Sequence, residues 1–245
     1  MKKKNVEILV IGHKGASAIA PENTLKAFQK AIELHADYVE FDAHLTKDGE
    51  IVVIHDDDTY SLTGTHSLIR DNTLEQIKML DAGEGEQIPT LQELIAIAKG
   101  KIALQLEIKS TGLLVRMVQI LREENLIQNS IVSCFMFDEL VKLKKIEPKI
   151  KIGFLLPAEL VRSQSIKRKI IKCEREGFFA IHPHFSTVDK EIVDFAHANG
   201  LKIYVWTVND RSIMKDLIQL GVDGIITDDI SLLHETISSK NYTDN

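Results

Sequence analysis

Two acids and a histidine fall on a short predicted hairpin that would bring their side chains together. Residues 38–45 and 50–56 have the pattern of strands, and a Thr-Lys-Asp-Gly turn joins them. Side chains alternate faces along a strand, so Glu40 and Asp42 share one face while the opposite face is apolar. Asp-Gly between such runs predicts an antiparallel return that sets His55 roughly opposite both acids. The alternative is an ordinary polar face of an edge hairpin. Residues elsewhere in the chain must decide between a functional site and this alternative.

A third acid follows the same alternation in a later run. Gln105, Glu107 and Lys109 alternate with Leu104, Leu106 and Ile108, so the polar side chains share a face. A buried charge needs a partner or a metal, because burying it alone costs several kcal/mol or more. Glu107 and Lys109 could therefore form internal ion pairs that only fill the interior, or they could belong to a site.

Counting charges favours a cation together with an anionic substrate. Glu40, Asp42 and Glu107 contribute three negative charges, and Lys14 and Lys109 contribute two positive charges. One divalent cation would leave a single positive charge, which suits a monoanionic phosphodiester. Oxygen ligands favour Mg²⁺ or Ca²⁺ over zinc, which prefers nitrogen and sulfur.

Two histidines could carry the protons of a hydrolysis. His13 ends the first predicted strand, and His55 ends the hairpin return. Because the unperturbed pKa of histidine is about 6.5, one imidazole can take a proton from the nucleophile while the other donates one to the leaving alkoxide. Each alone could be a structural or surface residue, but both lie beside predicted ligands.

The elements that must position these residues alternate along the whole chain. Between most of the strand-like runs lie amphipathic helical patterns, such as TLKAFQKAIELH and KEIVDFAHAN. Repeated strand and helix predicts parallel strands joined by right-handed crossovers. The strand-like runs are EILVI, YVEFDAH, IVVIH, IALQLEIK, SIVSCF, KIGFLL, FFAIHP, KIYVWTV and GIITD.

If IVVIH is the hairpin return, eight parallel strands remain, and the predicted fold is an α/β (β/α)8 TIM barrel with a β-hairpin excursion after the second strand. A doubly wound open sheet is the competitor. No dinucleotide-binding glycine fingerprint follows the first strand, however, since residues 12–15 lack the required spacing. In TIM barrels chemistry lies at the carboxyl ends of the strands, where these acids and histidines fall.

Composition sets the broad class of the protein. The chain has 245 residues, 44% hydrophobic and 27% charged, with no linker-like segment, so we expect one domain over residues 1–245. The net charge of -6 argues against a nucleic-acid partner. The apolar run at 6–11 is too short and charged for a signal peptide or an integral membrane span. Cys134 and Cys173 are isolated, which is typical of buried thiols, so we expect a cytoplasmic protein.

Five segments, in order, resemble the glycerophosphodiester phosphodiesterase family of the short bacterial type. They extend from about position 11 to about position 228, and the first two are long and specific. The segments are HKGASAIAPENTLKAF, VEFDAHLTKDGEIVVIHDD, LEIK, VWTVND and GVDGIITD.

The resemblance implies a TIM barrel, and it also implies the roles of particular residues. These are a divalent metal on Glu40, Asp42 and Glu107, catalytic His13 and His55, phosphate contacts from Lys14 and Lys109, and Trp206 on the alcohol-binding side. The sequence departs from the family where Lys14 replaces the usual arginine. Lysine offers a point charge rather than a planar fork, so we expect weaker or differently oriented phosphate binding.

The function implied is metal-dependent hydrolysis of glycerophosphodiesters, such as glycerophosphocholine or glycerophosphoethanolamine, to an alcohol and sn-glycerol 3-phosphate. One alternative is a lysophospholipase D with an apolar groove beside the metal, and another is a non-catalytic phosphodiester-binding barrel. The expected partner is a small molecule, and the sequence is also compatible with a homodimer. The residues that could form the apolar groove are Phe135, Met136, Phe137, Phe154, Leu155 and Leu156.

Overall fold

A computed structural model describes residues 8–160 and 163–240, and it contains the nine expected strands. Several are shorter than the apolar runs that predicted them. The strands are β1 Leu9–Gly12, β2 Tyr38–Leu45, β3 Ile51–Val53, β4 Ala103–Ile108, β5 Ser130–Cys134, β6 Lys151–Leu156, β7 Ala180–Pro183, β8 Lys202–Val205 and β9 Gly224–Thr227.

Eight of these strands form a closed parallel barrel. The order is β1-β9-β8-β7-β6-β5-β4-β2, and the additional pairing of β1 with β2 closes the ring. The ninth strand, β3, pairs antiparallel with the end of β2. The predicted TIM barrel with a hairpin after its second strand is therefore confirmed.

Helices surround the barrel and connect successive strands. Three of them lie in the long connection between β3 and β4. The helices are α1 Leu25–Glu33, α2 Tyr60–Thr63, α3 Leu74–Lys78, α4 Leu91–Ala98, α5 Leu114–Glu123, α6 Phe137–Ile146, α7 Ser163–Arg175, α8 Lys190–Ala198, α9 Arg211–Leu220 and α10 Ile230–Lys240. Within the described residues, every helix is too short or too polar to cross a bilayer.

Helix α1 shows how the outer layer forms. The Thr24 side chain caps the helix by accepting a hydrogen bond from the Ala27 amide, which satisfies one of the free donors of the first turn. The apolar face of α1 is buried, and Phe28 packs edge to face against Phe41 of β2, with 6.1 Å between the ring centroids. This packing joins the helix to the outer face of β2.

The two faces of β2 have different surroundings. Val39, Phe41 and Ala43 belong to the apolar layer between strands and helices. Glu40 and Asp42 point the other way, into the barrel, and their side chains line a cavity there. The alternation in the sequence thus places the acids inside without disturbing the outer core.

The hairpin return places His55 above the end of the first strand. The register pairs Ala43 with Val53, and the Ile54 amide donates to the Asp42 carbonyl at 3.0 Å. Because β4 occupies one edge of β2, β3 must lie along the other edge, which it shares with β1. Since Ala43 is paired with Val53, Ile54 lies opposite Asp42, and His55 is one residue further along.

The loop after β1 turns sharply at Gly15, where a side chain would be costly. Its φ of +88° is left-handed, and a Cβ there would lie 2.7 Å from the backbone carbon of Ala27. The same loop carries His13 and Lys14, so close contact with α1 fixes their position.

We predict that Gly15→Ala destabilises the fold more than Gly49→Ala. Gly49 has nearly the same φ, +87°, but a Cβ added there would have no neighbouring atom within 4 Å, so its substitution should cost only the backbone strain of about 1 kcal/mol. Gly15→Ala adds overpacking against α1, for a total of about 3 kcal/mol. Urea denaturation of both variants measures the difference; equal losses would contradict the packing argument.

Candidate active site

One cavity at the carboxyl ends of the strands brings together all eight residues singled out from the sequence. Its volume is about 180 Å³. That is below the roughly 300 to 1,000 Å³ typical of drug-sized ligand sites, so the cavity suits a small head group. The eight residues are His13, Lys14, Glu40, Asp42, His55, Glu107, Lys109 and Trp206.

The three acids form a compact cluster in the wall of the cavity. Glu40, Asp42 and Glu107 each offer a carboxylate oxygen, and these oxygens lie within 4.8 Å of one another. Their exposures are only 3%, 1% and 9%. The parallel register causes this, because Asp42 of β2 lies directly beside Glu107 of β4. Three buried carboxylates so close together form a donor set for a hard cation.

Burial and mutual repulsion raise the proton affinity of this cluster. Burial, followed by the charge of Asp42, raises the pKa of Glu40 to about 8. The same two causes raise the pKa of Glu107. The cluster therefore requires positive charge, supplied by protons, a basic side chain or a cation.

Lys109 supplies part of that positive charge. Its ammonium lies 3.0 Å from Glu107 and 3.4 Å from Asp42. Although burial lowers the pKa of Lys109, the charges of Asp42 and Glu107 outweigh it and raise the pKa above its ordinary value. The internal ion pair weighed from the sequence does form, and it lines the cavity rather than filling a closed core.

Lys14 contacts two acids through different groups. Its backbone amide donates to Glu40 Oε2 at 3.0 Å. Its ammonium donates to both carboxylate oxygens of Glu22, each at 2.9 Å. The lysine predicted to contact phosphate is thus already paired. The sequence signal for Glu22 was weak, since only its place in the segment HKGASAIAPENTLKAF set it apart.

His13 is held by an acid from the far end of the chain. Its Nδ1 lies 2.7 Å from Asp228 Oδ1. A carboxylate can only accept, so Nδ1 carries the hydrogen and Nε2 is left for the cavity. Ser17 Oγ donates to the same Asp228 oxygen at 2.8 Å, and Asn209 Nδ2 donates to the other oxygen. Sequence analysis did not identify Asp228.

The charges of His13 and Asp228 stabilise each other. Although burial lowers the pKa of His13, the hydrogen bond to Asp228 and the charges of Glu40 and Asp228 raise it above its ordinary value. Burial opposes the charged form of Asp228 too, but the hydrogen bond and charge of His13 together with the hydrogen bonds from Ser17 and Asn209 outweigh it, and the pKa of Asp228 falls to about 2.

His55 is more exposed, and two neighbours set its position. Its Nδ1 donates to Asp56 Oδ1 at 2.9 Å, which again leaves Nε2 free. The His55 carbonyl lies 3.1 Å from Nε2 of His44, a buried histidine on β2. His44 thus fixes the backbone that carries His55.

Aromatic side chains form the remaining wall. Trp206 Nε1 donates to the His182 carbonyl at 2.7 Å, and its ring meets Phe135 edge to face at 5.6 Å. Phe135 is 42% exposed. The cavity therefore has an acidic side and an aromatic side.

Comparison with known proteins places this site in a family. The model of the glycerophosphoryl diester phosphodiesterase family matches residues 13–232. The chain belongs to that family. The match extends from the first histidine of the site past Asp228, so it includes every residue described above.

Individual relatives agree in sequence and in fold. A glycerophosphodiester phosphodiesterase of Caldanaerobacter subterraneus subsp. tengcongensis is 38% identical, over 91% of this chain and 95% of the relative. The structure of a glycerophosphodiester phosphodiesterase from Thermotoga maritima has a TM-score of 0.82 at 33% identity, over 95% and 99% of the two chains. An Oleispira antarctica phosphodiesterase, solved in complex with the product sn-glycerol-3-phosphate, has a TM-score of 0.84 at 31% identity, over 94% and 96%.

Family membership confirms the resemblance drawn from the sequence motifs. It also confirms the expectation of an enzyme of the phosphodiesterase class, against the alternative of a non-catalytic binding barrel. The roles of the individual side chains are a separate matter and rest on their geometry.

We predict that Asp228→Asn loses more stability at pH 5 than at pH 9. Because its pKa is raised in the folded state, His13 stabilises the fold fully below about pH 6.5, and this stabilisation is lost as the pH rises through the folded-state pKa. Because its pKa is lowered, Asp228 stabilises the fold above about pH 4. The pair is therefore strongest between about pH 4 and pH 6.5. Urea denaturation of metal-free wild type and variant at both pH values measures the difference.

The control for this prediction is Asp216→Asn. Asp216 is exposed on α9, and among the described residues its carboxylate makes no hydrogen bond or ion pair. Its substitution removes the same charge and should have a similar small effect at both pH values. A loss for Asp228→Asn that does not change with pH would contradict the ion-pair argument.

Proposed function

We propose that this protein hydrolyses glycerophosphodiesters to an alcohol and sn-glycerol 3-phosphate, using a divalent cation and two histidines. The observation that carries the proposal is the single cavity in which three clustered carboxylates lie with His13 and His55. The Oleispira relative with bound sn-glycerol-3-phosphate supports the identity of the product.

The residues that would hold the cation are Glu40, Asp42 and Glu107. Their chemistry fits a hard cation, Mg²⁺ or Ca²⁺, because every donor is a carboxylate oxygen. The raised pKa values of Glu40 and Glu107 fit as well, since a cation would relieve the repulsion that causes them. When bound, such an ion polarises the phosphoryl group and lowers its negative charge.

The two histidines would transfer the protons of the reaction. Each has its Nδ1 hydrogen directed to an aspartate, Asp228 for His13 and Asp56 for His55, so each works through Nε2. One Nε2 takes the proton of the attacking nucleophile, which is either water or the neighbouring glycerol hydroxyl, and the other donates a proton to the departing alkoxide. The aspartates hold the rings in the required tautomer.

Two lysines would bind the phosphodiester. Lys109 lies beside the acid cluster, where its ammonium can reach a phosphate oxygen from the same wall. Lys14 would bind with an ammonium that Glu22 already orients. This pairing supports the expectation that Lys14 binds phosphate differently from the family's arginine, because part of its charge is neutralised.

The dimensions of the cavity favour a glycerol head group over a lysophospholipid. Of the apolar residues proposed to form a lipid groove, Phe135 and Leu155 line the cavity. Phe154 and Leu156 are buried in the outer core, and Phe137 packs against Phe154. The alcohol portion would lie against Trp206.

We predict that removing metal abolishes hydrolysis of glycerophosphocholine. Without a cation the clustered acids keep their negative charge or bind protons, and neither state attracts a phosphodiester. Activity should fall to background after chelation and dialysis, and return on addition of Mg²⁺ or Ca²⁺; a product assay for sn-glycerol 3-phosphate measures this. Undiminished activity in thoroughly stripped protein would rule out the metal-dependent mechanism.

Two controls accompany the metal experiment. Glu107→Gln removes one proposed ligand with little change in shape, and neither ion should restore its activity at the concentrations that suffice for the wild type. Lysophosphatidylcholine serves as a second substrate under the same conditions. Faster turnover of that lipid than of glycerophosphocholine would instead favour the lysophospholipase D alternative.

We predict that His13→Ala and His55→Ala each reduce turnover by a factor of about 10² to 10⁴, the usual contribution of a general acid or base. Circular dichroism should show an intact fold for both. His66→Ala is the matched control, since His66 also pairs with an aspartate but is 75% exposed on the loop after β3. Wild-type turnover in the His13 and His55 double variant would refute the assignment.

A further inference from the structure

We propose that Asn23 is a positioning residue that orients the Asp42 carboxylate for the cation. The inference rests on the cation site proposed above and adds a residue to which no role has yet been assigned. The next residue, Thr24, caps α1 with its hydroxyl. The side chain of Asn23 is therefore free for another contact.

The amide of Asn23 holds Asp42 at two points. Its Nδ2 donates to Asp42 Oδ2 at 2.9 Å, and its Oδ1 accepts from the Asp42 backbone amide at 3.3 Å. Asn23 is 4% exposed and Asp42 is 1% exposed, so solvent does not compete for these bonds. With Oδ2 engaged, Oδ1 is the oxygen directed to Lys109, 3.4 Å away.

The same loop holds the neighbouring acid in the same way. The Lys14 backbone amide donates to Glu40 Oε2 at 3.0 Å. The Asn23 backbone amide donates to the Lys14 carbonyl, also at 3.0 Å, and so closes the loop on itself. One loop therefore takes one oxygen from each of two proposed ligands and leaves the other oxygen for the cavity.

Lys14 and Asn23 both have a left-handed backbone. The φ angles are +53° at Lys14 and +58° at Asn23. This conformation is uncommon for residues other than glycine, although asparagine adopts it more readily than most. At these two positions it directs the Lys14 backbone amide at Glu40 and the Asn23 side-chain amide at Asp42.

Asparagine suits this task because it donates a hydrogen bond without adding charge. A lysine or arginine would neutralise Asp42 and compete with the cation. An aspartate could not donate, and it would repel the cluster. Partners that orient metal ligands usually change metal affinity by 10-fold to 100-fold when they are removed.

The test is calorimetric titration of metal-stripped wild type and Asn23→Gly with Mg²⁺ and with Ca²⁺. Glycine accepts the left-handed backbone and removes only the amide, so the loop can keep its course. The Kd for the cation should rise by about 10-fold to 100-fold. The cation concentration for half-maximal activity should rise by the same factor, while turnover at saturating cation stays within about 3-fold of the wild type.

Asn125→Gly is the matched control. Asn125 has the same φ of +58°, is exposed and lies between α5 and the start of β5, at the end of the barrel opposite the site. Its substitution should leave the cation Kd unchanged. If Asn23→Gly does not regain its circular dichroism spectrum after stripping, Asn23→Ser is titrated in its place, with a weaker affinity expected for the same reason.

The outcomes separate this inference from the proposed function. A wild-type protein that binds neither ion overturns the cation site itself, and the inference with it. A wild type that binds while Asn23→Gly binds with equal affinity overturns the inference alone. An equal loss of affinity in Asn125→Gly would show a general effect of the substitution and would also overturn it.

Discussion

The structure depends on one electrostatic constraint, which is that three buried carboxylates lie within 4.8 Å of one another. Such a cluster is stable only if positive charge is held beside it. The barrel creates the problem, because the register of β2 and β4 sets Asp42 beside Glu107. It also supplies part of the solution, since Lys109 follows on the same strand face. The rest must come from protons or from a cation.

Each basic group of the cavity has its own acidic partner, and this changes the charge balance inferred from the sequence. Counting only the acid cluster, two lysines and a divalent cation leaves one positive charge. Glu22, Asp56 and Asp228 add three negative charges at the edge of the same site. The balance is then two negative charges, and protonation of both histidines returns it to neutral. In the proposed mechanism, the protonation of His13 and His55 would therefore influence the attraction of an anionic substrate as well as proton transfer.

Local periodicity and strand ends predicted the barrel and seven of the residues that line its cavity, whereas Trp206 came only from the resemblance to the family. The alternation in β2 places Glu40 and Asp42 inside, and the Asp-Gly turn returns the chain with His55 within one residue of its expected position. Strand ends were less accurate, since the run FFAIHP becomes a strand only from Ala180. The carboxyl-end rule for TIM barrels then supplied what local pattern could not, because it gathers residues far apart in sequence.

The partners that orient the site residues could not be predicted from any periodicity. Asp228 is 215 positions from His13, and it reaches the histidine because β1 and β9 are neighbours in the closed barrel. Asn23 reaches Asp42 because the backbone becomes left-handed there, and no alternation of polar and apolar residues encodes that angle. Strands bring the reactive groups together, whereas the loops between them decide which oxygen or nitrogen faces the cavity. Orientation of this kind is therefore the part of the site for which the three-dimensional structure is indispensable.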